Sequence, residues 1–144
     1  MARIKLTLPE QFPFSTNIPI RITDLNYGAH VGNDTILTLM HEARVQFLKS
    51  LDYEELNIAG VGLIMSDAAI EFKREVFYGT FLKAYVAAGD FTRVGFDLYY
   101  KLTIETNGTE TLVAVGKTGM VCYDYTAKKI VAVPEEVVKK LQQA

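Results

Sequence analysis

Residues 34–51 have the sequence DTILTLMHEARVQFLKSL, and this segment decides the fold. Apolar side chains recur in it every three or four residues, the spacing that places them on one face of an α-helix. The apolar stripe consists of Ile36, Met40, Ala43, Phe47 and Leu51. The pattern predicts one long helix of about 27 Å. We expect Asn33 or Asp34 to cap its first turn through a side-chain oxygen.

Strands are predicted on both sides of this helix. Residues 15–23 precede it, with Ile18, Ile20 and Ile22 on one face. Pro19 lacks a backbone N–H, which indicates an edge strand or a bulge. Four apolar or alternating segments follow the helix, at residues 62–73, 80–88, 93–105 and 110–125. The third of them alternates strictly between apolar and polar residues, as a half-buried antiparallel strand does.

The order of these elements defines the fold class. Asn107-Gly108 is the residue pair that a type I′ turn requires, so it predicts a hairpin between the last two strands, and Pro134 opens a short terminal helix. A single helix cannot bury its stripe alone, and a single sheet needs a cover. The sequence therefore predicts an α+β fold, with an antiparallel sheet wrapped around one long central helix. No linker or repeat interrupts residues 1–144, so we expect a single domain.

Composition excludes several classes of function. Fifteen basic and seventeen acidic residues give a net charge of −2 without a basic cluster, which disfavours nucleic-acid binding. The N-terminus lacks the apolar region of a secretory signal, and no apolar run approaches the ~18–20 residues that span a bilayer. The lone Cys122 fits a reducing compartment, and no Cys/His cluster indicates a metal site. We expect a cytoplasmic protein without metal, nucleic-acid or membrane partners.

Three strings resemble a known family. Residues 24–33 are Asp-Leu-Asn-Tyr-Gly-Ala-His-Val-Gly-Asn, and residues 41–44 are His-Glu-Ala-Arg. They resemble the hotdog-fold thioesterases, in the branch of 4-hydroxybenzoyl-CoA thioesterase and the plant acyl-carrier-protein thioesterases. Many members carry Asp-x-Asp-x-x-Gly-His-Val-Asn-Asn before the long helix and Glu-Ala-Arg within it. Phe72-Lys73-Arg74 with Tyr78-Gly79 resembles a third landmark, so the resemblance spans residues 16–125.

This resemblance implies a fold, an activity and an assembly. The fold is the hotdog fold, and the activity is hydrolysis of an acyl-CoA or acyl-carrier thioester to a free acid. No separate cofactor is expected, because the CoA moiety is part of the substrate. A single subunit leaves a sheet edge open, and pairing two edges across a dyad would close it. We therefore expect a homodimer or homotetramer with the pocket between subunits.

The catalytic candidates are Asn26, His30 and Glu42. Asn26 is located where many members have a catalytic Asp, and Gly32 replaces the first Asn of the Asn-Asn pair. A carboxylate can attack the thioester or deprotonate water, whereas a carboxamide can only orient water or the carbonyl. The alternative for Asn26 is an Asx-turn before Gly28. His30 either activates water or packs in the loop through its ring nitrogens.

Glu42 lies away from the apolar stripe. It is either a carboxylate that faces a dimer-interface pocket or an exposed glutamate paired with Gln46 or Arg44. The nearest carboxylates that could act as the base are Asp24, Asp67 and Glu42.

Further residues are candidates for substrate binding: Asp24, Gly28, Val31, Gly32, Asn33, Ser66, Asp67, Lys73 and Arg74. Glycines let the backbone approach a ligand, and amides at the start of the helix can stabilise an oxyanion. Ser66 and Asp67 interrupt an apolar strand, so they either pair with the loop or line a pocket. Lys73 and Arg74 could hold the CoA phosphates.

Two other functions remain open at this stage. The first is a hotdog hydratase or dehydratase that uses His30 with Glu42, although the Gly-His-Phe-Pro string of acyl-carrier-protein dehydratases is absent. Asp24 and His30 also do not keep the Asp-x4-His spacing of the enoyl-CoA hydratase relatives. The second is a module that binds acyl-CoA without turnover, which Asn26 motivates. The fold alone cannot decide, because one fold hosts several chemistries.

Overall fold

The computed structural model describes residues 3–144, which contain six strands and two α-helices. In chain order they are β1 (Phe14–Pro19), α1 (Asn33–Ser50), β2 (Gly62–Phe72), β3 (Phe81–Gly89), β4 (Gly95–Thr106), β5 (Thr109–Asp124), β6 (Lys129–Ile130) and α2 (Glu135–Gln143). A short 3₁₀ turn at Ile22–Asp24 leads from β1 towards α1. The predicted order of one strand, one long helix and four strands is confirmed.

The strands form one antiparallel sheet in the order β1-β3-β4-β5-β2, with β6 paired to the end of β5. β4 and β5 are joined by Asn107 and Gly108, whose φ angles of 53° and 80° are both positive, as a type I′ turn requires. The predicted hairpin is therefore confirmed. β1 and β2 are the two edges of the main sheet, so Pro19 does end an edge strand.

Helix α1 packs across this sheet with the predicted apolar face. Its buried apolar residues are Ile36, Leu39, Met40, Ala43, Phe47 and Leu48. Burying a side chain of this size stabilises a fold by roughly 1.5–3 kcal/mol. Gly116 on β5 permits close approach of the helix, because a Cβ at this position would lie 2.7 Å from the sulfur of Met40. The sheet thus wraps around one central helix, as the sequence predicts.

Two local predictions are wrong. The first strand ends at Pro19 rather than at residue 23, and the side chain of Ile22 is 67% exposed. The reason is the 3₁₀ turn, in which the carboxylate of Asp24 accepts a hydrogen bond from the amide of Arg21 at 2.8 Å. The N-cap of α1 is Gly32, which has no side chain for capping. The predicted caps, Asn33 and Asp34, lie inside the first turn instead.

A polar network is buried between α1 and the sheet. Arg44 Nη1 donates a hydrogen bond to the Tyr100 hydroxyl at 3.1 Å, and that hydroxyl is 2.8 Å from Thr118 Oγ1. Arg44 Nε pairs with Glu55 Oε2 at 3.2 Å. Burial raises the pKa of the Tyr100 phenol. The network ties the helix to β4, β5 and the loop that follows α1.

The two α-helices in the described residues are 18 and 9 residues long. Within residues 3–144, neither has the combination of length and apolar character needed to span a bilayer. α2 begins after Pro134 and buries Val137 and Leu141, which confirms the predicted terminal helix.

Candidate active site

The loop between the 3₁₀ turn and α1 is held in shape by backbone hydrogen bonds. The amide of Asn26 donates to the carbonyl of His30 at 2.8 Å, and the amide of Ala29 donates to the carbonyl of Asn26 at 3.0 Å. The amide of Val31 donates to the carbonyl of Val76 at 2.8 Å. The loop is therefore closed on itself and tied to the segment that follows β2.

Asn26 forms the Asx-turn that is its structural alternative. Its Oδ1 accepts a hydrogen bond from the amide of Gly28 at 2.8 Å. A Cβ at Gly28 would lie 3.2 Å from Asn26 Oδ1 and 3.3 Å from His30 Nε2, so both side chains face the space that this glycine leaves open. A Cβ at Gly32 would lie 3.8 Å from Asn26 Nδ2. Gly28 thus keeps room next to the Asn26 carboxamide, whereas Gly32 makes room for Asp34, whose Oδ1 would lie 2.6 Å from a Cβ there.

The ring of His30 is oriented by the backbone. Its Nδ1 is 3.2 Å from the carbonyl oxygen of Val31. Because a carbonyl can only accept, this contact requires the hydrogen on Nδ1 and leaves the lone pair on Nε2. Nε2 is directed towards Glu75, whose Oε1 is 3.7 Å away, and Phe77 packs edge-on against the ring. His30 is therefore presented with Nε2 available as a base.

The first turn of α1 provides amide donors next to this ring. The first helical hydrogen bond runs from the amide of Ile36 to the carbonyl of Gly32 at 3.1 Å, so the amides of residues 33–35 precede the helical ladder. A glycine N-cap offers them no side-chain acceptor. An oxyanion placed there would meet both these donors and the positive end of the helix dipole.

Five predicted site residues line one cleft of about 400 Å³: His30, Val31, Asn33, Lys73 and Arg74. Ile36, Phe72, Glu75, Val76 and Val113 complete its walls. Lys73 Nζ is 3.1 Å from Glu71 Oε1 in an exposed pair, which leaves its charge at the cleft rim. Two cations, a histidine and the start of a helix therefore meet around one cavity, next to Asn26 and its two glycines.

Ser66 and Asp67 are not part of this cleft. They lie at a bulge in β2 and bind β5, since Ser66 Oγ donates to the carbonyl of Gly119 and Asp67 accepts from Lys117 Nζ at 2.9 and 3.1 Å. The hydrogen bond from Lys117 lowers the pKa of the Asp67 carboxyl. The two residues line a separate notch of about 140 Å³. Of the two alternatives for these residues, pairing with the loop is wrong, because the bulge turns both side chains towards β5, whereas they do line a pocket, which is this notch.

Glu42 and Asp24 are also placed elsewhere. Glu42 accepts a hydrogen bond from Gln46 at 2.7 Å and lines a second cleft of about 310 Å³ between β1 and α1. Of its two predicted partners, Gln46 is confirmed, whereas Arg44 binds Glu55 and Tyr100 instead. Asp24 is buried and serves the 3₁₀ turn.

Glu75 is the carboxylate that sequence reasoning missed. It follows Lys73 and Arg74 directly, but no periodicity or motif distinguishes it from an exposed strand-end residue. Only the pairing of residues 30–31 with residues 76–77 brings it to His30. Among residues 3–144, no group of three or more His, Cys, Asp or Glu side chains is arranged to hold a metal ion.

Comparison with known proteins gives a family and a fold. The model of the thioesterase-like superfamily matches residues 20–141. A 1,4-dihydroxy-2-naphthoyl-CoA thioesterase from Synechocystis is similar in structure, with a TM-score of 0.79 and 20% identity over 90% of this chain and 95% of that one. A mutant 4-hydroxybenzoyl-CoA thioesterase in complex with 4-hydroxybenzoyl-CoA has a TM-score of 0.80 and 15% identity, over 89% and 97%.

A third similar structure is the DHNA-CoA thioesterase from Staphylococcus aureus, with a TM-score of 0.78 and 15% identity over 90% of this chain and 88% of that one. At such low identities the structural similarity shows the fold alone, and it confirms the predicted hotdog arrangement of sheet and central helix. No curated protein matches the sequence significantly.

Proposed function

The chain belongs to the thioesterase-like superfamily, and from this premise we propose that it hydrolyses an acyl-CoA thioester to a free acid and CoA. One observation carries the proposal. A histidine with an available Nε2, the uncapped amides of a helix and two cations surround a single cleft of about 400 Å³. These are the base, the oxyanion site and the phosphate-binding groups that this reaction needs.

The proposed reaction uses each of these groups once. His30 Nε2 takes a proton from water while the water oxygen forms a bond to the thioester carbon. Amides of residues 33–35 stabilise the negative charge that develops on the carbonyl oxygen. The C–S bond then breaks, and the imidazolium returns its proton to the leaving CoA thiolate. Asn26 Nδ2, between the two glycines, orients the water or the carbonyl.

Lys73 and Arg74 are assigned to the phosphates of CoA. Both line the cleft that contains His30, and both are exposed, as groups that meet a large anionic ligand must be. The reaction as proposed needs no separate cofactor. A carrier-protein thioester would present a single phosphodiester instead of the CoA nucleotide, so the two substrates differ in what these cations can bind.

A panel of acyl-CoA substrates tests the proposal. Thiol release would be followed with a chromogenic thiol reagent, and the acid product identified by mass spectrometry, with aromatic and aliphatic acyl groups of several lengths and with matched acyl-carrier thioesters. We expect release of CoA together with the free acid. If the acyl group instead gains or loses one water and no thiol is released, the protein is a hydratase or dehydratase.

A second candidate is an acyl-CoA-binding module without turnover. It is favoured by the Asx-turn of Asn26, which commits the Oδ1 atom to the Gly28 amide and leaves the loop without a carboxylate base. Stoichiometric binding of acyl-CoA without thiol release would support this function. The hydratase alternative is not favoured, because it requires His30 and Glu42 together and they line separate clefts.

Replacing Asn26 with alanine is expected to lower kcat by about 100-fold and to change KM much less, because an oriented water or carbonyl matters chiefly in the transition state. Asn26→Asp keeps an oxygen acceptor for the Gly28 amide, so it separates loss of the turn from loss of the amide donor. Steady-state kinetics on a good substrate would measure both. If Asn26→Ala keeps near-full turnover, Asn26 stabilises the turn and has no role in the reaction.

We further propose that the protein is a homodimer, or a dimer of dimers, joined through the open edge of β2. Met65 and Phe72 on this strand are 44% and 48% exposed, and the outer edge of β2 has no partner strand within residues 3–144. An unprotected apolar edge is normally covered by a second chain. Pairing it across a dyad would also enlarge the cleft next to Phe72.

Light scattering is expected to give at least twice the monomer mass of 16.1 kDa at micromolar concentration. Met65→Lys should shift the equilibrium towards the monomer, because two like charges would meet close to the dyad. Leu56→Lys is the matched control, since Leu56 is also an exposed apolar residue but lies in the loop after α1. A monomer mass for the wild-type protein would contradict the assembly.

The proposed compartment is the cytoplasm, where acyl-CoA substrates and reduced thiols coexist. Cys122 is buried and unpaired, and burial raises the pKa of its thiol to about 11. A buried, neutral thiol without a disulfide partner is compatible with a reducing compartment such as the cytoplasm.

A further inference from the structure

Glu75 lies next to the ring of His30 and is not among the groups assigned to the proposed reaction. Its Oε1 is 3.7 Å from His30 Nε2. Among residues 3–144, it is the one carboxylate within 4.0 Å of that ring. The Glu75 side chain is 65% exposed and that of His30 is 30% exposed, so both reach the cleft from its solvent side.

The position of Glu75 is fixed by backbone pairing on two sides. Towards the loop, the amide of Val31 bonds the carbonyl of Val76, and His30 pairs with Phe77. Towards the sheet, the amides of residues 73 and 74 both donate to the carbonyl of Val113 on β5. The backbone of Glu75 is thus held between two anchored neighbours, next to His30.

We propose that Glu75 is the positioning residue for His30 in this hydrolysis, an inference that rests on the proposed function. The Val31 carbonyl holds the proton on Nδ1, so Nε2 is the atom that takes the proton of water. The resulting Nε2–H⁺ faces the Glu75 carboxylate, which stabilises the charged ring. Substrate over the cleft excludes water, and the attraction between two opposite charges grows as the local dielectric constant falls.

Two cations around the cleft act on the His30 ring in the opposite direction to Glu75. Lys73 and Arg74 line the same cavity and oppose a positive charge on His30. Lys73 is already paired with Glu71, whereas Asp34 in the first turn of α1 is directed at Gly32. Glu75 is therefore the group that offsets the two cations at the ring itself.

The kinetic test compares Glu75→Gln with wild type. Glutamine keeps the size of the side chain and removes its charge. We expect kcat to fall by up to about fivefold, the upper value for an exposed ion pair, while KM changes less. Glu75→Asp keeps the charge and should recover part of the loss, and Glu54→Gln, an exposed loop carboxylate, is the matched control.

NMR spectra of the two histidine rings, recorded at one fixed pH, provide a readout independent of activity. Glu75→Gln removes a charge 3.7 Å from His30 Nε2 and should therefore change the chemical shifts of the His30 ring. His41 is the internal reference, because its own carboxylate is Glu55 at 2.6 Å and its ring resonances should stay unchanged.

The two assignments fail in different ways. If Glu75→Gln leaves kcat and the His30 ring resonances at wild-type values, the role of Glu75 is overturned while thioesterase activity stands. If the wild-type protein releases no thiol from any acyl-CoA but the His30 ring resonances still change in Glu75→Gln, the proposed function falls and the pairing of the two side chains remains.

Discussion

Replacing His30 with asparagine is expected to lower kcat by about 100- to 10,000-fold with folding intact, the usual span for loss of a general base. Asparagine is the sharpest substitution, because its Nδ2 can replace the histidine Nδ1 as donor to the Val31 carbonyl. The variant therefore keeps the local hydrogen bond and lacks only the atom that would accept the proton. Circular dichroism and a denaturant titration would verify the fold before steady-state kinetics.

The rival bases are tested in the same assay. Glu42→Gln, Asp67→Asn and Asp24→Asn each remove one carboxylate that is located outside the His30 cleft. We expect each of them to retain kcat within a few-fold and to keep the acidic limb of the pH–rate profile. A large loss in Glu42→Gln, together with an active His30→Asn, would move the active site to the cleft between β1 and α1.

The fold was predictable because its main signals are local. The apolar spacing in residues 34–51 specifies a helix with one buried face, and the structure buries that face against the sheet. Asn107-Gly108 specifies a turn with two positive φ angles, and the structure has them. The end of β1 was not predictable, because Ile22 continues the alternation of Ile18 and Ile20 and only the Asp24 carboxylate diverts the chain.

The site was predictable only where its residues are close in sequence. Asn26, Gly28, His30 and Gly32 meet because they belong to one loop. Their arrangement follows from three backbone hydrogen bonds and from the Asx-turn of Asn26. Glu75 depends on the register between this loop and the segment after β2, which no local pattern encodes. Ser66 and Asp67 were predicted to belong to the site, but they lie outside the His30 cleft. A bulge in β2 turns the Asp67 side chain towards Lys117 on β5.

Arg44 is the clearest case of a residue whose importance is tertiary. The sequence places it at the border of the apolar stripe, where its stem could pack and its charge reach solvent. The structure buries it instead, and its guanidinium binds Glu55 in the loop that follows α1 and the hydroxyl of Tyr100 on β4. Arg44 therefore links α1 to the sheet through buried hydrogen bonds.

Replacing Arg44 with methionine should therefore lower the free energy of unfolding by roughly 2–3 kcal/mol. Breaking a fully buried pair costs about 3–5 kcal/mol, and the value here is smaller because the Glu55 side chain is 24% exposed and can regain water. Methionine keeps the length and the helix propensity of the side chain, so the loss reports the hydrogen bonds that the guanidinium donates to Glu55 Oε2 and to the Tyr100 hydroxyl. Urea denaturation followed by circular dichroism measures it.

Two further variants isolate the cause of this loss. Lys49→Met changes an exposed lysine of the same helix and should stay within about 0.5 kcal/mol of wild type. Adding Tyr100→Phe to Arg44→Met should cost less than the sum of the two single changes, because the hydroxyl that Arg44 leaves without its donor is then absent. If Arg44→Met unfolds at the wild-type urea concentration with an unchanged m-value, the network does not stabilise the fold, and the helix is held by its apolar face alone.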